Sequence, residues 1–292
     1  MSEPDKHHYL PVFYLSQWAG ADGRVVRYHR PHSAVVAHPI APKNTGYEAG
    51  LYRLDGYVAD HRNAIEKDFM APVVDDLAAQ AMRVLVERDL VKMTPAMRQA
   101  WTRFVMSLHV RHPVRVEQIS QQAADGLRQS LLANPEEYEA VRGANDPPTL
   151  LEWVEQNAPV IIDNFGKQLL PGIITHQPTG DAIIRMRWWT VGIDQATPDL
   201  LTSDRPVYMS HGVADERCFI ALPLSPRLIF FATRDEAAFH RVMAQGVESV
   251  TKSLNEVLVS QAEKYVYAAH DQHLRFVENR LRARTARLEP QR

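Results

Sequence analysis

The chain is short of cysteine, of long apolar runs and of net charge, and each shortage removes a class of protein. With Cys218 as its one cysteine it can form no intrachain disulfide. The apolar run from Cys218 to Leu222 marks that thiol as buried and inert. No stretch approaches the roughly 18 uninterrupted apolar residues of a spanning helix, so no membrane association through a span is expected. With 33 basic against 35 acidic side chains the net charge is −2, so bulk charge draws the chain to neither nucleic acid nor an anionic membrane. The polar segment Met1 to His8 lacks the apolar region of a secretory signal, which fits a reducing, cytoplasmic compartment. No internal repeat or heptad array is present. There is also no G-x-x-x-x-G-K-[ST], G-x-G-x-x-G, G-x-S-x-G or H-E-x-x-H. Nucleotide-loop enzymes, dinucleotide dehydrogenases, α/β-hydrolases and zincins therefore lose their usual support.

What is present suffices for a large core. A chain of 33.2 kDa scales to about 12,600 Å² of folded surface against about 48,000 Å² unfolded. Its 292 residues allow one large domain or two small ones.

Residues 9 to 58 are rich in Tyr, Val, Pro and Gly, and the pieces Arg24 to His29 and Ala34 to His38 read as strands joined by turns. A helical zone begins near Arg62 and carries Ile65, Phe69, Val73, Leu77, Ala81 and Leu85, with Pro72 expected to kink or restart it. Thr94-Pro95 is a helix entry, because threonine caps free backbone N–H groups and proline tolerates the first helical position. The stripe Met97, Trp101, Phe104, Val105, Leu108 follows it until Pro113. Asn134-Pro135 and Asp146-Pro147 open short helices over Glu136 to Arg142 and Pro148 to Asn157. From Asp181 the alternation of Ile184, Met186 and Trp188 with Arg185, Arg187 and Trp189 predicts a strand. Further short apolar runs and the turn Ser225-Pro226 then predict an antiparallel sheet. Thr233 with Glu236 reads as a capping box for a long helix through Phe239, Val247, Leu254 and Leu258, with a second helix through Leu274 and Leu281. The fold class expected is α+β, mixed and largely helical: short strands over 1–60, a helical middle over 61–180, an antiparallel sheet over 181–232 and C-terminal helices over 233–288.

Five short motifs in order resemble the domain of unknown function 4238 family. The opening His7-His8-Tyr9-Leu10-Pro11-Val12-Phe13-Tyr14-Leu15 is similar to its "His-Tyr-Val-Pro-x-Phe-Tyr-Leu" signature. Ile65-Glu66-Lys67, Arg111-His112-Pro113, Thr202-Ser203-Asp204-Arg205-Pro206-Val207 and Tyr265-Val266-Tyr267-Ala268 follow, the last expected on the closing helices. Leu10 stands where Val is usual, and Arg205 where Asn is common. The resemblance implies one α+β domain and brings no chemistry with it.

Chemistry is therefore read from the polar residues inside these motifs. His8 offers a base or metal ligand, its neighbour His7 pointing to the opposite face of the strand. Glu66 and Asp204 offer carboxylates, and Arg111 a planar guanidinium for bidentate binding of an anion. Each has a structural counterpart: a solvated strand start for the histidines, a side-chain-to-backbone turn for Asp204, a Glu66–Arg111 bridge. A divalent metal held by His8, Glu66 and Asp204 would need three segments to converge. The pair Arg103 and His109 has the spacing found in some helical ribonucleases. Trp188, Trp189, Tyr47, Tyr52 and Tyr57 either stack bases or fill core and edge positions. Arg275, Arg280, Arg282, Arg284 and Arg287 form either a basic patch for nucleic acid or a solvated helix end, and Leu254, Leu258, Leu274 and Leu281 offer a dimer face. Two functions follow. One is a phosphodiester-acting hydrolase, a nuclease among the possibilities, with His8 as base, Glu66 and Asp204 as metal-binding or acid/base carboxylates and Arg111 on the phosphate. The other is a non-catalytic binding or sensor protein whose polar motif residues form a structural network.

Overall fold

The computed structural model describes residues 6–281, apart from the side chains of Ala59 and Asp60. In chain order the strands and helices begin with β1 (Lys6–His8), α1 (Val12–Leu15), β2 (Val25–His29), β3 (Val36–Ile40), β4 (Tyr47–Ala49) and α2 (Ala59–Arg62). A π-helix over Ile65–Asp75 leads into α3 (Asp76–Val86), α4 (Pro95–Val110), α5 (Pro113–Ala133), α6 (Pro135–Glu139), α7 (Leu150–Asn157), α8 (Val160–Ile174) and α9 (Gln177–Arg185). The remainder is β5 (Arg187–Gly192), β6 (Thr202–Ser203), β7 (Tyr208–Met209), β8 (Phe219–Ser225), β9 (Leu228–Thr233), α10 (Glu236–Met243), α11 (Val247–Gln261), β10 (Val266–Ala268) and α12 (Leu274–Glu278). Every strand pairing is antiparallel, in sheets ordered β1-β4, β3-β2-β10-β6 and β5-β9-β8-β7. The class is α+β. No helix among the described residues is long and apolar enough to cross a membrane.

The sequence Leu228-Ile229-Phe230-Phe231-Ala232-Thr233 explains why β9 is central. All six residues are buried, as a strand covered on both faces requires. Leu228, Phe230 and Ala232 join the cluster that also holds Trp101 and Phe104 of α4. Ile229 and Phe231 join the opposite cluster with Val250, Leu254 and Leu258 of α11. The indole of Trp101 meets the Phe230 ring edge-on at 5.6 Å. The larger cluster draws on residues from Tyr9 to Tyr267.

Several local expectations are met. Thr94 caps α4 through the Met97 N–H at 3.2 Å, and Ser225-Pro226 lies in the β8–β9 turn. Cys218 is buried, and burial pushes its thiol pKa up. Others are corrected. At Pro72, where a kink or restart is expected, the helix continues in the wider i→i+5 winding, proline having no N–H to donate in either winding. Residues 181–185 finish α9 and the strand starts at Arg187, because Ile183 and Met186 pack into the core from the helix end. The expected helix entries at 136 and 148 fall at Pro135 and Leu150, the latter capped by Thr149. Asp235, not Thr233, caps α10, and Thr233 Oγ1 instead accepts the Trp189 indole N–H at 3.1 Å. Gly246, at φ +82°, ends α10 and restarts the chain as α11, a conformation that favours glycine. Tyr265 to Ala268 are not helical: Val266–Ala268 form β10, between β2 and β6.

Candidate functional site

The site starts at β1. Its register against β4 sets His7 opposite Glu48 and His8 opposite Tyr47. Gly46, at φ +66°, brings β4 in, and its carbonyl accepts the N–H groups of Tyr9 and Leu10 at 2.9 and 3.0 Å. Alternation sends the two imidazoles to different surroundings. His7 is buried, accepts the Tyr52 N–H on Nδ1 at 2.9 Å and stacks on the Tyr52 ring. His8 is half-buried and its Nε2 is buried with no partner. Burial lowers the His8 pKa, the positive charges of Lys6 and Arg111 add to that, and a hydrogen bond with the Lys43 backbone opposes it. Nε2 is thus the ring nitrogen left without a partner, an acceptor in a neutral ring protonated on Nδ1.

The carboxylates come from the π-helix. In an α-helix of 3.6 residues per turn Glu66 and Asp75 would lie half a turn out of phase. The i→i+5 winding brings them close to one face, where Asp75 acts on Glu66 electrostatically. Burial foremost, then the Asp75 charge, raise the Glu66 pKa to about 7 against the pull of Arg111. Its Oε2 is buried without a partner. Burial also raises the Asp75 pKa, and Arg111 opposes this by charge and hydrogen bond.

Arg111 stands where α4 meets α5. Its N–H closes α4 on the Ser107 carbonyl at 2.8 Å, and His112 caps α5 by accepting the Val114 N–H at 3.3 Å, with Pro113 at the first helical position. This tight junction turns the Arg111 side chain inward, where it is fully buried. Nη1 donates to Asp75 Oδ1 at 3.0 Å and Oδ2 at 3.4 Å. The guanidinium carbon is 5.3 Å from the Phe104 ring centre, and the Arg111 carbonyl accepts the Tyr52 hydroxyl at 3.2 Å. Nε and Nη2, the guanidinium edge that grips an oxyanion with two parallel bonds, are buried with no partner.

Asp204 is placed differently. Its carboxylate accepts the backbone N–H groups of Glu263, Lys264 and Tyr265 at 3.0, 2.7 and 2.8 Å. Its own N–H donates to the Tyr265 carbonyl at 2.9 Å. Oδ2 lies 3.7 Å from His112 Nε2, and the His112 ring meets Tyr9 edge-on. The opening motif, the Arg111-His112-Pro113 junction, the Asp204 turn and β10 are thus connected, with Asp204 one residue removed from the Arg111 centre. Ser203 forms the local turn by accepting the Arg205 N–H at 3.2 Å, and Arg205 pairs with Glu263 at 3.0 Å.

The structure therefore couples Glu66 and Arg111 to Asp75, places His8 within the electrostatic reach of Arg111, and leaves Asp204 outside that group. The expected Glu66–Arg111 bridge is replaced by Arg111–Asp75. Asp75 is the residue that sequence reasoning missed, because helical spacing sets it opposite Glu66 and no local pattern announces a π-helix. The metal set His8, Glu66 and Asp204 is not assembled, since the Asp204 oxygens are taken by backbone N–H groups. Among the described residues the His and carboxylate atoms that come together in a group of three are those of Asp199, His270 and His273. Arg103 reaches the Val73 carbonyl at 3.3 Å, and His109 faces solvent. Tyr52 and Trp188 are core residues, Trp189 stacks on Phe239 at 4.2 Å and Tyr57 is exposed. Arg280 pairs with Glu256 and covers Phe276, while Arg282, Arg284 and Arg287 lie outside the described residues. Leu254 and Leu258 face the core, which removes them from a dimer face.

Fold and centre together define an α+β protein with a charged, incompletely paired group buried between a π-helix and a helix junction. The chain belongs to the family described as Protein of unknown function (DUF4238), whose model matches residues 6–272 and so takes in all five motifs. No curated protein matches the chain, and no solved structure does.

Proposed function

We propose that the chain is a hydrolase of phosphodiesters, carried by one α+β domain, with Arg111 as its phosphate-binding residue. The observation that carries this reading is the free Nε and Nη2 edge of a fully buried guanidinium. Buried polar groups are nearly always hydrogen-bonded, and an arginine whose Nε and Nη2 donors are unused has the geometry that takes two phosphate oxygens. Asp75 holds the other side of the guanidinium and orients it. Around it stand two groups with complementary proton states. The neutral His8 ring has a free acceptor nitrogen, and Glu66, with a pKa of about 7, is partly protonated at neutral pH.

In the reaction these roles imply, a water oxygen attacks phosphorus and gives its proton to His8 Nε2. The bond from phosphorus to the leaving oxygen breaks, and Glu66 protonates that oxygen. Charge on the non-bridging oxygens grows against Arg111, in surroundings of low dielectric where such contacts are strongest. Asp204 acts as a positioning residue, fixing the loop 263–265 and meeting His112 beside Arg111.

The test is turnover of an activated phosphodiester and of short single- and double-stranded oligonucleotides by the purified chain, with Glu66→Gln and His8→Gln beside it. Expected are a loss of at least a hundredfold in each variant with melting behaviour retained, and a fall of the wild-type rate on either side of neutrality. Absence of turnover together with absence of stabilisation by phosphate or oligonucleotides overturns the hydrolase and leaves the polar residues as a structural network.

A further inference from the structure

A second constellation lies away from Arg111, where the loop before β6 meets the turn after β10. Asp199, His270 and His273 each offer one ligand atom there, and these atoms lie within 4.8 Å of one another. Asp199 Oδ2 is 2.9 Å from His270 Nε2, a separation that suits two ligands on one ion. The rings of His270 and His273 stack with centres 4.9 Å apart.

A plain Asp–His hydrogen bond would account for His270 Nε2 and nothing more. It leaves His273 Nε2 buried without a partner in the same corner, where buried polar atoms are ordinarily satisfied. The surroundings fix the carboxylate for one-oxygen ligation. Arg227 Nη2 holds the other oxygen, Oδ1, and the Asn255 amide donates to the Asp199 carbonyl at 2.8 Å. The turn carrying the histidines is held in turn by the Tyr28 hydroxyl, which donates to the His270 carbonyl at 2.7 Å. All three ligand residues are half-buried, so the corner is reachable from solvent.

We propose that Asp199, His270 and His273 form a binding site for one divalent transition-metal ion of the zinc class. Two imidazoles and one carboxylate are the donor set that such ions select, whereas calcium and magnesium prefer all-oxygen cages. Three protein ligands leave a fourth tetrahedral position for water. The ion would clamp the segment 270–273 to the loop at Asp199, joining the two chain stretches that flank the β6–β10 pairing. This site is independent of the Arg111 centre, and neither stands or falls with the other.

The experiment uses the full, untagged chain stripped with chelator and titrated with zinc and with cobalt, magnesium serving as control. Expected are one equivalent of zinc bound, a visible d–d spectrum of low-symmetry tetrahedral cobalt, and no response to magnesium. His273→Gln, which leaves the Asp199, Arg227 and Asn255 contacts in place, should weaken zinc binding at least tenfold while the metal-free melting temperature stays that of the wild type. His270→Gln is the second variant and should abolish the cobalt spectrum. Less than stoichiometric binding, an octahedral cobalt spectrum, or equal affinity in wild type and variants overturns the site.

Discussion

Two buried ionic groups from the motifs, Asp204 and Arg111, are both essentially without solvent contact, yet they are treated in opposite ways. Asp204 is saturated: three backbone N–H groups of one loop point at its carboxylate. Arg111 keeps one nitrogen on Asp75 and two with no partner. A buried charge is retained only where something repays its desolvation. For Asp204 the repayment is a folded loop, and for Arg111 it is Asp75 on one nitrogen, the proposed phosphate supplying the rest. How fully a buried charge is satisfied thus separates a structural residue from a binding one better than its burial or its place in a motif.

The largest effect should come from the saturated group. Asp204→Ala leaves three N–H groups without their acceptor and should lower stability by about 3–5 kcal/mol, read from denaturant midpoints, with no dependence on added phosphate. A loss below about 1 kcal/mol would erase the contrast with Arg111.

The next effect is a pH dependence at Glu66. Its pKa is 4.5 in an ordinary setting and about 7 in the fold, so across that window the native state holds more of the proton than the unfolded chain. By linkage this favours folding below about pH 4.5 and is lost as pH rises toward 7. Glu66→Gln should therefore become progressively more stable relative to wild type over that range, by about 1–3 kcal/mol in all. Parallel stability curves for the two proteins would show that Glu66 titrates normally.

The smallest effect belongs to Arg205, the residue that departs from the family's common asparagine. Its pair with Glu263 is about half exposed on both sides, and Arg205→Ala should change stability by no more than about 0.5–1 kcal/mol and leave turnover unaltered. A large loss of activity would move the functional centre toward Asp204.

What the sequence made legible follows from the range of the forces involved. Local signals were sufficient for α4, where Thr94 and Pro95 specify the entry, and for β9, whose six apolar-rich residues fit a strand covered on both faces. His8, Glu66 and Arg111 were legible as residue types within motifs. Their arrangement was not, because Asp75, which pairs with Arg111 and acts on Glu66, comes round to the side of Glu66 only through the π-helical winding around Pro72. β10 was read as helix for a similar reason: three residues carry no period, and their strand character comes from pairing with β2 and β6, far away in the chain. The Asp199, His270 and His273 corner was invisible for the same cause, its members being joined only by that pairing.

The most direct test of the central claim, that Arg111 reserves one edge for an oxyanion, is the melting temperature of the protein in phosphate against chloride at equal ionic strength. Wild type and Arg111→Met should be measured side by side, with Glu66→Gln as a folded control. The account predicts that phosphate stabilises wild type and Glu66→Gln and leaves Arg111→Met unmoved. An equal shift in all three proteins, or no shift in wild type, would contradict it.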